Sequence, residues 1–144
     1  MENKTSGTSL NIYSLDLEKV DCGTWLHGAA GSNHMFKVKK IRGVDFNKEM
    51  DEVKRSAYKA NVPDFVDDTM LFALWLGKYG CTDWDGVQDY EGNDLPFDRE
   101  TCINVFKNRE IWYSLVELLI LKASNNDAYY KKEALEAIEE LKKR

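Results

Sequence analysis

The chain has 144 residues, 43% of them apolar and 12% aromatic, and a net charge of −5. That is one domain's worth of chain, long enough to bury a core. The acidic balance argues against nucleic acid as a partner, because phosphate neutralisation needs a basic face.

Residues 1–14 are polar, lack the apolar segment of a signal peptide, and read as a flexible tail before a single domain over 15–144. Within that domain, Leu15–Arg42 reads as a small β unit. Thr24–His27 is one strand and Gly28–Asn33 a turn. Met35–Ile41 is a second strand, with Phe36 and Val38 facing inward and Lys37 and Lys39 facing solvent.

Asp45 is expected to cap a helix over Phe46–Lys59. Phe46, Met50, Val53 and Ala57 recur on one face of it, and Asp51 and Arg55 form an i, i+4 pair on the wet side. Pro63 interrupts the pattern, and Asp64 caps a second helix over Phe65–Lys78. Met70–Leu76 is apolar on every side, which predicts a helix central to the core.

Next comes a predicted hairpin. Trp84 and Val87 share a face, Asp89–Asn93 supplies the turn, and Leu95 and Phe97 lie on the return leg. Pro96 makes that leg an edge strand or a very short one. Asp98 caps a helix over Arg99–Lys107, Phe97 staples onto Cys102, and Asn108 closes the helix in a left-handed conformation.

A further helix over Glu110–Ala123 is apolar round most of its circumference, with Glu117 and Lys122 wet. After the turn Asn125–Asp127, a last helix over Ala128–Lys142 aligns Tyr130, Ala134, Ala137, Ile138 and Leu141 in one stripe, with Glu139 and Lys143 paired at i, i+4. The fold class is α+β and predominantly α-helical: a small N-terminal β unit, about five helices and a short β-hairpin in one domain. The longest apolar runs, Met70–Leu76 and Ile111–Leu121, fall short of the ~20 residues of a membrane span, so no membrane association is expected.

Few residues suggest chemistry. The acids Asp83, Asp85, Asp89, Glu91 and Asp94 do not fit a calcium loop, since Val87 or Asp94 falls where a ligand or a glycine is required. They read as turn and cap acids. Cys22, Cys81 and Cys102 contain no Cys-x-x-Cys pair and read as free thiols of a reducing compartment. His27 and His34 lie near Cys22, but neither a catalytic nor a zinc-finger spacing results. No catalytic residue, metal ligand or cofactor site is expected. Trp25, Trp75, Trp84 and Trp112 read first as core fillers. Trp84 and the terminal stripe of Tyr130, Ala134, Ile138 and Leu141 are the candidate partner contacts. That last helix either docks on its own domain or lies in a groove of another protein.

Two blocks of residues resemble a known family. The first is Leu15-Asp16-Leu17-Glu18-Lys19-Val20-Asp21-Cys22-Gly23-Thr24-Trp25-Leu26, followed by Phe36-Lys37-Val38. The second is Trp84-Asp85-Gly86-Val87, then Asp89–Thr101 with its Leu95-Pro96-Phe97 run. In this order they resemble small tail assembly chaperones of tailed phages and prophages. In that type a Gly-x-Trp strand opens the chain, and a hairpin of this pattern sits between an apolar helix and the C-terminal helices. Glu91 stands before Gly92 where Asp is commoner. The resemblance implies a non-enzymatic protein of the host cytoplasm, absent from the mature virion, that binds the tape-measure protein and keeps it soluble during tail tube assembly. The major tail protein and a second copy of the chain are further candidate partners. The alternative is a structural tail or connector component retained in the virion.

Overall fold

The computed structural model describes residues 7–59 and 67–143. Three short strands, β1 (Thr24–His27), β2 (Met35–Val38) and β3 (Cys81–Asp85), form an antiparallel sheet with β2 in the middle. The α-helices are α1 (Leu17–Cys22), α2 (Phe46–Lys59), α3 (Asp68–Trp75), α4 (Arg99–Lys107), α5 (Glu117–Ser124) and α6 (Lys132–Lys142). A 3-10 turn, Leu10–Tyr13, precedes α1. Wide π turns extend α3 through Leu76–Gly80 and lead into α5 through Trp112–Val116. The architecture is α+β and mainly helical, as the periodicities predict. Among the described residues no helix is long and apolar enough to cross a membrane.

Alternation along β2 puts Phe36 and Val38 inward, where both are buried. Leu26 of β1 and Trp84 of β3 lie opposite Phe36 in the register. The Phe36 ring meets Trp84 and Phe106 edge to face, with centroids 6.3 Å away in each case. Helix α3 is buried through Leu71, Ala73 and Trp75, and Leu76 follows it into the core. Gly77 lets α4 approach closely: a Cβ there would lie 3.1 Å from the Ile103 Cα. Arg99 then closes this corner, its Nη1 donating to the carbonyls of Gly77 and Cys81, each at 2.8 Å.

The expected self-contained hairpin is divided between two structures. Cys81–Asp85 joins the sheet as β3, while the return leg supplies only a single bridge, Gln88 with Asp94. The open edge of β2 offers a full ladder, whereas Pro96 removes a donor from the local alternative. The second strand ends at Val38, not Ile41, because Lys39 N–H donates to Gly80 and Ile41 N–H to Ala123, drawing the chain onto helix ends. Lys39 does not face solvent either. Its ammonium lies 2.5 Å from Glu49 Oε2, and Glu49 Oε1 accepts from Trp75 Nε1 at 3.2 Å.

Helix α2 spans its predicted residues, but Arg55 Nε donates to the Asp51 carbonyl and not to its carboxylate. The Asp64 cap lies outside the described residues. The observed cap of α3 is Asp67, which accepts from Met70 N–H at 2.8 Å. Asp98 caps α4 as expected, through Thr101 N–H at 2.7 Å. Asn108 is extended, not left-handed, because its side chain caps the next turn by accepting from Glu110 N–H.

The last helix begins four residues later than its pattern suggests. Tyr130 bridges to Leu15, and Tyr129 is buried with its hydroxyl donating to the Val38 carbonyl at 3.0 Å. Burial pushes the Tyr129 phenol well above its ordinary value. The terminal charges pair at i, i+3, Glu139 with Lys142 and Glu140 with Lys143, and not as Glu139 with Lys143.

Glu49→Ala should cost about 3 kcal/mol, because it strands the Lys39 ammonium and the Trp75 indole N–H away from water. Urea denaturation measures this, and a loss below about 1 kcal/mol would show that water replaces the carboxylate.

Candidate functional site

Beyond β3, residues 86–98 form a loop that returns to α4. Gly86 starts it at φ +73, where a Cβ would also lie 3.2 Å from the Asn33 carbonyl oxygen. Asp89 organises the turn. Its Oδ1 accepts from the N–H groups of Glu91 and Asn93, each at 2.9 Å. Asp89 N–H donates to Asn93, Gly92 N–H to Asp89 and Leu95 N–H to Val87. The Trp84 indole fixes the return leg by donating to the Leu95 carbonyl at 2.7 Å. Phe97 packs edge-on against Trp84, with centroids 5.0 Å apart. At the loop tip, Asn108 Nδ2 donates to the Tyr90 hydroxyl at 2.5 Å, tying the loop to the end of α4.

Between this loop and α4 lies a cleft of about 490 Å³, within the size range of ligand sites. Val87 and Leu95 come from the loop, Val105 from α4, and Ile111 and Leu115 from the turns that follow. His34, Gln88, Asp89, Tyr90, Thr101, Asn104 and Asn108 are its polar members. His34 is already engaged: Nε2 accepts from Ala29 N–H at 3.3 Å, and the ring stands edge-on to Phe36.

Charge around the loop is one-sided. Between Tyr79 and Phe106 stand seven acids and a single cation, Arg99, whose guanidinium is turned onto backbone carbonyls. Lys107, Arg109 and Glu110, just beyond, leave the balance acidic. The N–H of Asn93, then that of Glu91, holds the Asp89 carboxyl below the usual carboxylate range. Thr101 does the same for Asp98.

A family model described as YdaY prophage protein matches residues 39–140. The chain belongs to the YdaY prophage protein family. No curated protein and no solved structure matches it. The matched span of this YdaY-family chain includes β3, the whole loop, α4 and both apolar walls of the cleft. A phage association is thereby shown, in keeping with the prophage side of the resemblance.

The residues singled out as partner contacts fall elsewhere. Trp84 and Ala134 are buried and belong to the core. Tyr130 is half-buried in the bridge to Leu15. Ile138 and Leu141 are half-buried on α6, which packs on the turn Leu10–Tyr13. The structure does not bring the thiols and histidines together as a site. Cys22 is exposed, whereas Cys81 and Cys102 are buried. Contact with the Cys102 thiol, then burial, pushes the Cys81 thiol far up. Among the described residues no three His, Cys, Asp or Glu side chains are placed to share a metal ion.

The cleft residues are those that sequence reasoning passed over. Val87 and Leu95 read as a packed hairpin face. The available signal was on α4, where Thr101, Asn104 and Val105 form a second helical face beside the buried pair Cys102 and Phe106.

Because backbone N–H groups favour the ionised Asp89 carboxylate, its folded pKa lies below the unfolded value of about 3.9. Its contribution to the loop is complete above that value and is lost as pH falls through the folded one. The amide chemical shifts of Glu91 and Asn93 should therefore stay constant from neutral pH down to about 4 and move only on further acidification. A midpoint at or above the unfolded value would show that the carboxylate is not held by these donors.

Proposed function

We propose that this YdaY-family protein is a non-enzymatic phage assembly factor of the tail assembly chaperone type. It acts in the host cytoplasm, binds the tape-measure protein and keeps it dispersed while tail subunits polymerise. The observation that supports this reading is the preformed apolar cleft on an acidic chain of a prophage family. Transient coverage of another protein's apolar surface needs such a cleft. A net negative charge keeps the free chaperone dispersed.

The reading is tested by co-expressing the chain with the tape-measure protein of the same prophage and by mass spectrometry of purified tails. The tape-measure protein should move from the insoluble to the soluble fraction, and the chain should be absent from finished particles. Unchanged solubility would overturn the proposal. Stoichiometric presence in particles would make the chain a retained tail or connector component instead.

A further inference from the structure

We infer that the cleft between the 86–98 loop and α4 is a docking groove for one kind of partner: an amphipathic helix whose apolar stripe is flanked by lysine and arginine. This deepens the assembly-factor reading, on which it rests only for the partner's identity.

Three observations carry it. The first is the wall. The Asp89 turn, the Leu95–Val87 backbone bond, the Trp84 indole on Leu95 and the Asn108–Tyr90 bond all hold the loop in place in the free protein. A groove fixed in advance avoids the ordering cost of binding.

The second is the backbone. The loop's N–H groups at Asp89, Glu91, Gly92, Asn93 and Leu95 are already donated within the loop. An extended strand would find few free donors along this wall, whereas a helix satisfies its own backbone and needs only side-chain pockets. Val87, Leu95, Val105, Ile111 and Leu115 provide those pockets.

The third is charge. Asp89 lines the cleft, and Asp85, Glu91, Asp94, Asp98 and Glu100 are exposed along the loop and the start of α4. Arg99 is turned onto Gly77 and Cys81, while Lys107 and Arg109 follow at the far end of α4. Cationic flanks on the incoming helix complete that field, which sets specificity and association rate. The chain's own segments fit poorly. Residues 1–6 carry no apolar stripe, and a second copy's α6 is already packed on its own turn Leu10–Tyr13.

The test uses the full chain and two synthetic helical peptides with the same leucine stripe, one flanked by lysine and one by glutamate. The lysine peptide should bind with a Kd of roughly micromolar order, at least about tenfold tighter than the glutamate peptide. Its NMR perturbations should centre on Val87, Leu95 and Val105. Val105→Asn should weaken binding by about tenfold or more. Ile138→Asp on α6 should leave it unchanged. The wild-type map keeps the inference falsifiable if Val105→Asn unfolds. Equal binding of both peptides, perturbations centred on α6, or no binding would each overturn it. A groove that binds the lysine peptide in a protein that fails to solubilise the tape-measure protein would uphold the inference and remove the assembly role. Solubilisation with perturbations away from the cleft would do the reverse.

Discussion

The pairing of β3 with β2 is the contact on which the site depends. It sets Trp84 opposite Phe36, two residues separated by most of the N-terminal half of the chain. From the Trp84 ring, one edge meets Phe36, another face receives Phe97, and the indole N–H reaches the Leu95 carbonyl. The loop is therefore built outward from a buried ring and does not hang from its own turn. Arg99 repeats this logic one step later, tying the start of α4 to the carbonyls of Gly77 and Cys81. A groove wall and the helix facing it are both referenced to the same strand.

Buried polar groups determine which way several elements turn. Glu49 sits between the Lys39 ammonium and the Trp75 indole, so α2, α3 and the end of β2 share one carboxylate. Tyr129 extends the pattern to the C-terminal part, its hydroxyl reaching the Val38 carbonyl. Among the described residues no buried side-chain nitrogen or oxygen lacks a partner. An ion pair removed from water adds little net stability but penalises any arrangement that leaves one member alone. Here the Lys39–Glu49 pair penalises packings that separate α2 from the end of β2.

This division explains what was legible in the sequence. Elements governed by local rules were: α2 and α4 span the residues their patterns indicate, Asp98 caps α4, Phe36 and Val38 face inward, and the all-round apolar helix is central. Elements decided by competition between distant partners were not. Trp84 and Leu95 satisfy hairpin rules locally, yet β2 offered Trp84's strand a better ladder. Lys39 alternates toward solvent on an ideal strand, yet Glu49 draws it inward. Tyr129 and Tyr130 fall within the predicted last helix, yet Val38 and Leu15 capture them before α6 begins. The cleft was illegible for the same reason. Its walls are residues 87–95 and 101–115, and their juxtaposition follows from where β3 goes.

A surface made this way has consequences for how it is used. Its apolar lining is held open by hydrogen bonds within the protein, so a ligand need not order the loop before binding. Such a groove can be effective with modest contact area, and modest area is compatible with release. Acids along the loop act at longer range, and for the proposed cationic helix they would raise encounter rates without adding much to the lifetime of the complex. Fast capture with limited residence is what the proposed assembly role requires, since a partner held too tightly could not be released. The same two features would serve a permanent structural contact less well, because lasting interfaces draw on larger and more apolar surfaces.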